Sequence, residues 1–489
     1  MPVLSRLRPY QQEGIDWLVA SLKRYRAVLL ADEAGLGKTL EALVASRRLA
    51  MRRVLIVCPA GARRVWQLEI VKWFPGLEPW TWVIEPGTTV DPKEWQNPLR
   101  PANLIVGYDE LSNKASPIRA QLERSIKWDL LVLDECHYLK NPSNRTQAVY
   151  GKGGTGKGLQ TRAAKVILLS GTPTPNHAGE LYEHVRTFWH DALAGNGSRV
   201  AFEDAYTRYK DTVFGRQVVG SKNQAKLRDK LQDVVLRRRK AEVLTELPPL
   251  VLQDIPLSDA SAGAGFNATG LTQLENFFKH NSPSDDDVIR ILQTPDIYVT
   301  SLRQHLGIAK ARPAIEWIRE RLASTEKMLV FAWHHSVIDL LRRGLLEFEP
   351  AVITGETSPK ARTEAIANFQ HRSANRVFIG QVLAAGTAIT LTAANEVAIV
   401  EPSWVPGENV QAICRAHRLG QRDSVLASFL YLPGTLDERI MGVFRRKASE
   451  IGQLQGDRDD NPHLHTRSAD ATRARPAGAT AAGVAAGRH

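Results

Sequence analysis

At 489 residues the chain is too long to bury one ordinary core, which predicts two or three domains. Its 43% hydrophobic and 24% charged content is that of a globular protein, and no apolar run approaches the roughly 20 residues of a membrane span, which argues against a membrane protein. The 64 basic against 52 acidic residues, net +12, favour a polyanionic partner because cationic side chains release counterions from nucleic acid, although charge alone does not name one. Cys58, Cys136 and Cys414 are too dispersed for a zinc site or a disulfide framework. The opening Met-Pro-Val-Leu-Ser-Arg carries no secretion signal, so the expected location is the cytosol or the bacterial nucleoid.

Leu7-Arg-Pro-Tyr-Gln11-Gln-Glu-Gly reads as a helix start with Pro9 near the first turn. Between residues 26 and 240, β-branched runs alternate with amphipathic stretches: Ala27 to Ala31, Val54 to Cys58, Leu104 to Val106, Leu130 to Asp134 and Val166 to Leu169. That rhythm predicts a parallel sheet covered by helices.

The first run ends in Asp32-Glu-Ala-Gly35-Leu-Gly37-Lys38-Thr39, after which Leu40, Leu43 and Val44 begin a helical face. A strand, a glycine turn and a helix N-terminus make an anion cradle, because free N–H groups and the helix dipole both point at phosphate. Lys38 would reach the β- and γ-phosphates and Thr39 would hold Mg²⁺. The strict Gly-x4-Gly-Lys-Ser/Thr spacing fails at Asp32, so on this segment alone an ordinary glycine turn stays open. Gly151-Lys-Gly-Gly-Thr-Gly-Lys157-Gly158 has the glycines but not the hydroxyl, and reads as a flexible basic loop.

Asp129-Leu-Leu-Val-Leu-Asp134-Glu135-Cys-His137 brings two carboxylates to the C-terminal edge of a strand, where ligands sit in parallel sheets. Asp134 would hold Mg²⁺ and Glu135 would orient and deprotonate an attacking water. Ser170-Gly171-Thr172-Pro173 reads as a turn, and the charge run Leu236-Arg-Arg-Arg-Lys as a solvated face.

From about 248 to 309 the strand pattern lapses into Ser, Asp, Gly and Ala, a linker with a few helices. The rhythm returns at Met328 to Phe331, Ala351 to Ile353, Arg376 to Ile379, Val397 to Val400 and Val425 to Leu430, which implies a second α/β lobe. In it, Gln411-Ala-Ile-Cys-Arg415-Ala-His-Arg418-Leu-Gly-Gln421 places a glutamine and two arginines at i, i+4 and i+7, one face of a predicted helix. After about Gln455 no apolar periodicity remains, so the tail is expected to be disordered.

These strings, in this order from about Leu7 to Gly442, resemble superfamily-two helicases and, within them, the Swi/Snf ATPases, whose phosphate loop reads Asp-Glu-x-Gly-x-Gly-Lys-Thr. The resemblance implies an α/β fold of two tandem RecA-like lobes, residues 1–247 and 310–455, with a helical linker over 248–309 and a disordered tail over 456–489. It implies ATP and Mg²⁺ as cofactors, with Gln11 on the adenine and Asp32, Gly35, Gly37, Lys38 and Thr39 around the phosphates. Ser170, Gly171 and Thr172 would couple hydrolysis to lobe movement, and Gln411, Arg415 and Arg418 would act on the γ-phosphate from the second lobe, the arginines as fingers.

By the same resemblance, positions that touch the DNA backbone are Arg63, Arg64, Gly107, Tyr108, Gly355, Arg362, Gly386 and Trp404. Two departures fall among them: Ala385-Gly386-Thr-Ala388 keeps one of the family's two common glycines, and its frequent Trp-Asn-Pro is Trp404-Val-Pro406. Asp-Glu-Cys-His-Tyr-Leu-Lys-Asn and Arg-Ala-His-Arg-Leu-Gly-Gln look like the annealing-helicase branch, in a bare-motor form. The expected activity is therefore ATP-driven movement on double-stranded or branched DNA that displaces proteins or reanneals strands, with a protein partner to recruit it. A strand-separating DNA or RNA helicase is the alternative, although relatives of that type end the arginine motif in Gly-Arg where this chain has Gly420-Gln421. An inactive DNA-binding scaffold is the third reading, and intact Lys38, Thr39, Asp134, Glu135, Arg415 and Arg418 argue against it.

Overall fold

The computed structural model describes residues 7–85, 91–97, 99–125, 127–152, 158–174, 177–212, 215–244, 246–257, 297–382, 389–403, 406–433, 435, 437–438, 441 and 464–467. Its first half holds Ala27–Leu30 (β1), Arg53–Cys58 (β2), Thr81–Val83 (β3), Ala102–Gly107 (β4), Trp128–Asp134 (β5), Ala163–Leu169 (β6), the hairpin Thr207–Thr212 (β7) and Gly215–Ser221 (β8), and Val235–Leu236 (β9). All but the hairpin form one parallel sheet in the order β3-β4-β2-β5-β6-β1-β9. Every residue of β1, β2 and β4 is buried, as expected of strands covered on both faces. Alternation along β1 sends Ala27 and Leu29 into one core and Val28 and Leu30 into the other.

The second half repeats the plan with Leu250–Pro256 (β10), Met328–Ala332 (β11), Ala351–Ile353 (β12), Val377–Gln381 (β13), Glu396–Ile399 (β14), Val425–Tyr431 (β15) and Leu464–Arg467 (β16). Their order is β12-β13-β11-β14-β15-β10-β16, again parallel throughout. Leu329 and Phe331 face one core and Met328, Val330 and Ala332 the other. All ten strand runs expected from the sequence are present, and the α/β architecture of two lobes stands.

Two expectations need correction. The stretch read as linker from 248 begins with β10, which pairs with β15 over seven residues and so belongs to the second lobe; the helix Ile297–Leu322 likewise starts inside it and runs on into that lobe. Leu250, Val251, Leu252 and Ile255 supply β10's apolar residues, a signal masked by the polar Gln253 and Asp254 between them. Within the tail expected to lack structure, β16 pairs along β10 as an edge strand. The rest of the tail and residues 258–296 lie outside the described residues, as does most of the 151–158 glycine loop. Among the described residues, no helix is long and apolar enough to cross a membrane.

Strand order fixes the site. β5, β6, β1 and β9 are consecutive in the sheet, so the segments that follow them, beginning at Glu135, Ser170, Ala31 and Arg237, share one carboxyl edge. Ligands collect at that edge in parallel α/β sheets.

Candidate functional site

Gly35 and Gly37 lie at φ 96° and 94°, a left-handed backbone that side-chain-bearing residues disfavour, and Gly37 caps the helix Lys38–Arg48. The loop between β1 and that helix is therefore the expected phosphate cradle, with helix N–H groups aimed into it. Lys38 Nζ donates to the carbonyls of Asp32 (2.7 Å) and Glu33 (3.4 Å). Burial lowers its pKa, and Glu135, Asp32 and Asp134 pull the other way, which places the ammonium among those carboxylates.

Asp134 ends β5 with both carboxylate oxygens oriented. Trp66 Nε1 donates to Oδ2 at 2.8 Å and the Glu135 N–H to Oδ1 at 3.0 Å. Burial and the adjacent Glu135 charge push its pKa up to about 6. Glu135 adopts φ 48°, a strained backbone for a residue with a side chain and one that clusters at functional sites. Its Oε2 is buried, 3.3 Å from His137 Nδ1 but without hydrogen-bond geometry. Burial would raise the Glu135 pKa, yet the nearby His137 and then Lys38 outweigh it and the net direction is down, so this carboxylate stays ionised. An ionised, buried oxygen with no hydrogen-bond partner among the described residues suits a base that receives a water proton.

These residues fit Mg²⁺ and a nucleoside triphosphate. Mg²⁺ takes hard oxygens, typically one or two carboxylates with substrate phosphates, so Asp134 and Thr39 would hold it without a dedicated protein cage. Among the described residues no group of three or more His, Cys, Asp or Glu side chains offers such a cage. Bound there, the ion would offset the crowding that raises Asp134 and neutralise phosphate charge.

Gln11 lies against the loop: Nε2 donates to Leu36 O at 3.2 Å, and Oε1 accepts the Arg8 N–H at 3.1 Å. Tyr10 packs with Leu36 and Leu244 beside it. Asp32, expected among the phosphate contacts, turns away. It is fully buried and accepts the Arg238 N–H (2.9 Å), its Nε (3.0 Å) and its Nη2, while Nη2 also reaches Glu41 at 2.7 Å. Asp32 thus braces the loop from behind. Gly14 makes room for this network, since a methyl there would sit 1.9 Å from Glu41 Oε2 and 2.5 Å from Arg238 Nη2.

Ser170 Oγ lies 3.1 Å from His137 Nδ1 and accepts the Thr172 N–H at 3.1 Å. Thr172 Oγ1 accepts from Gln411 Nε2 of the second lobe at 3.4 Å. Gly171 packs on the phosphate loop, where a methyl would lie 3.1 Å from Ala34 N. Glu135, His137, Ser170, Thr172 and Gln411 therefore form a continuous path of contacts between lobes.

The arginines reach the site by a route the sequence did not give. The helix is Pro406–Ile413 and ends before them. Arg415 N bonds Ala412 O and Arg418 N bonds Ala416 O, so they sit on successive tight turns and share no helical face with Gln411. One contact here is tertiary and one is local. Gln421 Nε2 takes Ala416 O and Lys240 Nζ takes His417 O, which supplies partners that a helix would otherwise provide. Both guanidinium groups still converge, each donating to Ile389 O, Arg418 at 2.8 Å and Arg415 at 3.5 Å. Burial and Arg418 hold Arg415 down to about 10, still a cation at neutral pH, within electrostatic reach of Glu135. A methyl on Gly35 would lie 3.1 Å from Arg418 Cβ.

The eight positions carried over as DNA contacts are not alike. Arg63 is buried and pairs with Asp109 at 3.3 Å, packed over Gly107. Tyr108 is buried, stacks on Tyr138 at 5.5 Å and donates to Asp134 O at 2.9 Å, which makes it a support of the site. Arg64 is exposed and bonds Glu85 at 2.7 Å. Gly355 is exposed, its N–H given to Gln381 Oε1 at 2.9 Å, and Arg362 is half-buried. Gly386 and Trp404 lie outside the described residues. Trp66, Glu41, Arg238 and Lys240 were missed as site residues, because nothing in local periodicity says which charged or aromatic side chain will turn inward.

Residues 10–261 match the SNF2-related domain and residues 310–420 the Helicase conserved C-terminal domain. The human DNA annealing helicase and endonuclease ZRANB3 is 30% identical over 93% of the chain and 41% of that protein. The Caenorhabditis elegans homolog of SWI/SNF-related matrix-associated actin-dependent regulator of chromatin subfamily A-like protein 1 is 29% identical over 96% of the chain and 65% of its own length. The chain thus spans about two fifths of the human relative. A solved Sulfolobus solfataricus SWI2/SNF2 ATPase core in complex with dsDNA aligns at 23% identity and a TM-score of 0.41, covering 92% of this chain and 94% of that one.

Proposed function

Because the chain belongs to the SNF2-related family of helicase-like ATPases, we propose that it uses ATP hydrolysis to move along double-stranded or branched DNA without separating the strands. The observation that carries this reading is the contact path from Glu135 through His137, Ser170 and Thr172 to Gln411, which ties the hydrolytic carboxylate to the relation between the lobes. Glu135 takes the proton of the attacking water, Lys38 neutralises phosphate charge, and Arg415 and Arg418 stabilise the transition state from across the cleft; Asp134 and Thr39 would hold Mg²⁺, which would supply further charge neutralisation. Closure and reopening then alternate the lobes' grip on the phosphate backbone, with a protein partner choosing where the motor is loaded.

The net charge of +12 and relatives whose printed names specify DNA annealing support DNA as the track. A bacterial cytosol or nucleoid is the setting that goes with this reading. The test is third-strand displacement: ATP-dependent release of a triplex-forming strand is expected while a tailed duplex of similar length stays paired. Efficient unwinding of the tailed duplex, with single strands stimulating hydrolysis more than duplex, would overturn it in favour of a strand-separating helicase.

A further inference from the structure

The charge run that follows β9 was expected to face water, and two of its residues do not. Arg238 is 8% exposed and Lys240 only 3%. Arg238 is accounted for by Asp32 and Glu41. Lys240 does something else: its N–H donates to Glu33 Oε2 of the phosphate loop at 2.8 Å, while its ammonium crosses to the second lobe. There Nζ donates to His417 O at 2.5 Å and to Cys414 Sγ at 3.2 Å. Glu33 Oε1 is 3.7 Å away, too far for a hydrogen bond, so the strong contacts of this ammonium are on the arginine turn.

That turn needs an outside donor. Cys414 to Arg418 lies beyond the end of its helix, and its carbonyls lack the regular partners of a helix interior. A buried lysine is costly unless its N–H groups find acceptors, and both hydrogen-bond acceptors of this ammonium lie on the segment that presents Arg415 and Arg418. Lys240 Cε and Arg418 Cβ also flank the same point, 3.4 and 3.1 Å from where a methyl on Gly35 would stand.

We propose that Lys240 is a positioning residue for the arginine fingers: from the first lobe it fixes the Cys414–Arg418 turn over the phosphate loop, without touching nucleotide. The inference rests on the reading of Arg418 as nucleotide-facing. Lys240→Met keeps the length of the side chain and removes its donors, Lys240→Gln keeps a neutral donor, and Lys240→Arg keeps the charge.

Steady-state hydrolysis by the full chain on duplex DNA, with binding of a fluorescent ATP analogue, separates the outcomes. The Met variant should lose turnover about tenfold or more, because misplacement of roughly an ångström suffices for that, with analogue affinity held within about twofold. The Arg variant should recover part of the loss and the Gln variant should fall between. Combined with Arg418→Ala, the Met change should slow the enzyme little further, since the two act as one unit. Normal turnover of the Met variant beside a slow Arg418→Ala, or fully additive losses, would sink this inference alone. Equal loss of analogue binding in the Met and Gln variants would also sink it, by showing a general role in the fold. Normal turnover of Arg418→Ala would remove the arginine reading itself.

Discussion

Arg418 Cβ, from the second lobe, stands 3.1 Å from the point a methyl on Gly35 of the phosphate loop would occupy. Two demands meet at that glycine, the backbone at φ 96° and the approach of the opposite lobe. Arg418→Ala should therefore keep nucleotide binding and lose most turnover, on the order of a hundredfold, as removal of a transition-state donor does elsewhere. Single-turnover hydrolysis beside analogue binding measures it; turnover near the unaltered rate would mean that this turn does not face the nucleotide.

Lys38 and Glu135 should separate binding from chemistry. Lys38→Ala removes the ammonium that would clamp the γ-phosphate and should abolish hydrolysis with weakened ATP affinity. Glu135→Gln keeps shape and removes the base, so ATP should bind and persist. Equal loss of ATP binding in both variants, read by equilibrium titration, would refute the assignment of roles.

Trp66→Phe tests whether an indole N–H tunes Asp134, the carboxylate that would hold Mg²⁺. Asp134 sits at about 6 in the free protein, raised by burial and Glu135 and held back by the bond from Trp66. The ionised form is the one that would hold Mg²⁺, so kcat/KM should fall as pH drops through about 6. Without the indole donor the carboxylate is less favoured, and the acid limb should move to higher pH. A pH profile of kcat/KM that keeps its acid limb, in a variant with a normal melting profile, would show that Trp66 only packs.

Gly14→Ala should destabilise the first lobe, although glycine to alanine inside a helix ordinarily gains about 0.5–1 kcal/mol. The methyl would arrive 1.9 Å from Glu41 Oε2 and 2.5 Å from Arg238 Nη2. Those tips are locked in a buried network with Asp32, so displacement uncovers charge and the net effect should be a loss of about 1–3 kcal/mol. Urea denaturation gives the sign directly, and a stabilised variant would show the network to be loose.

The sequence carried the ten principal strands and the motifs at the carboxyl edge because both are local. β-branched runs such as Val54 to Cys58 announce a buried strand, and Gly35, Gly37 and Lys38 announce a turn into a helix. What could not be read was set by distant partners. Asp32 looked like a phosphate contact until Arg238, 206 residues away, took its carboxylate. Arg415 and Arg418 kept helical spacing while Lys240, 177 residues from His417, bonded the carbonyl of a segment that runs in turns. Val235–Leu236 is two residues long, too short for any periodicity, and only its place beside β1 makes it a strand.

That short strand sets a load path. β9 pairs with the strand that carries the phosphate loop, Leu29 to Val235 and Leu30 to Leu236, with Ala31 and Glu33 bonding Leu236 and Arg238 just beyond. The same chain runs on to β10 of the second lobe. Tension that draws the lobes apart would thus be delivered along this rung, in shear, to the backbone of the proposed phosphate loop. On the translocase reading proposed above, an opposing pull on the DNA would strain the nucleotide site itself, so resisting force should slow nucleotide turnover as well as travel.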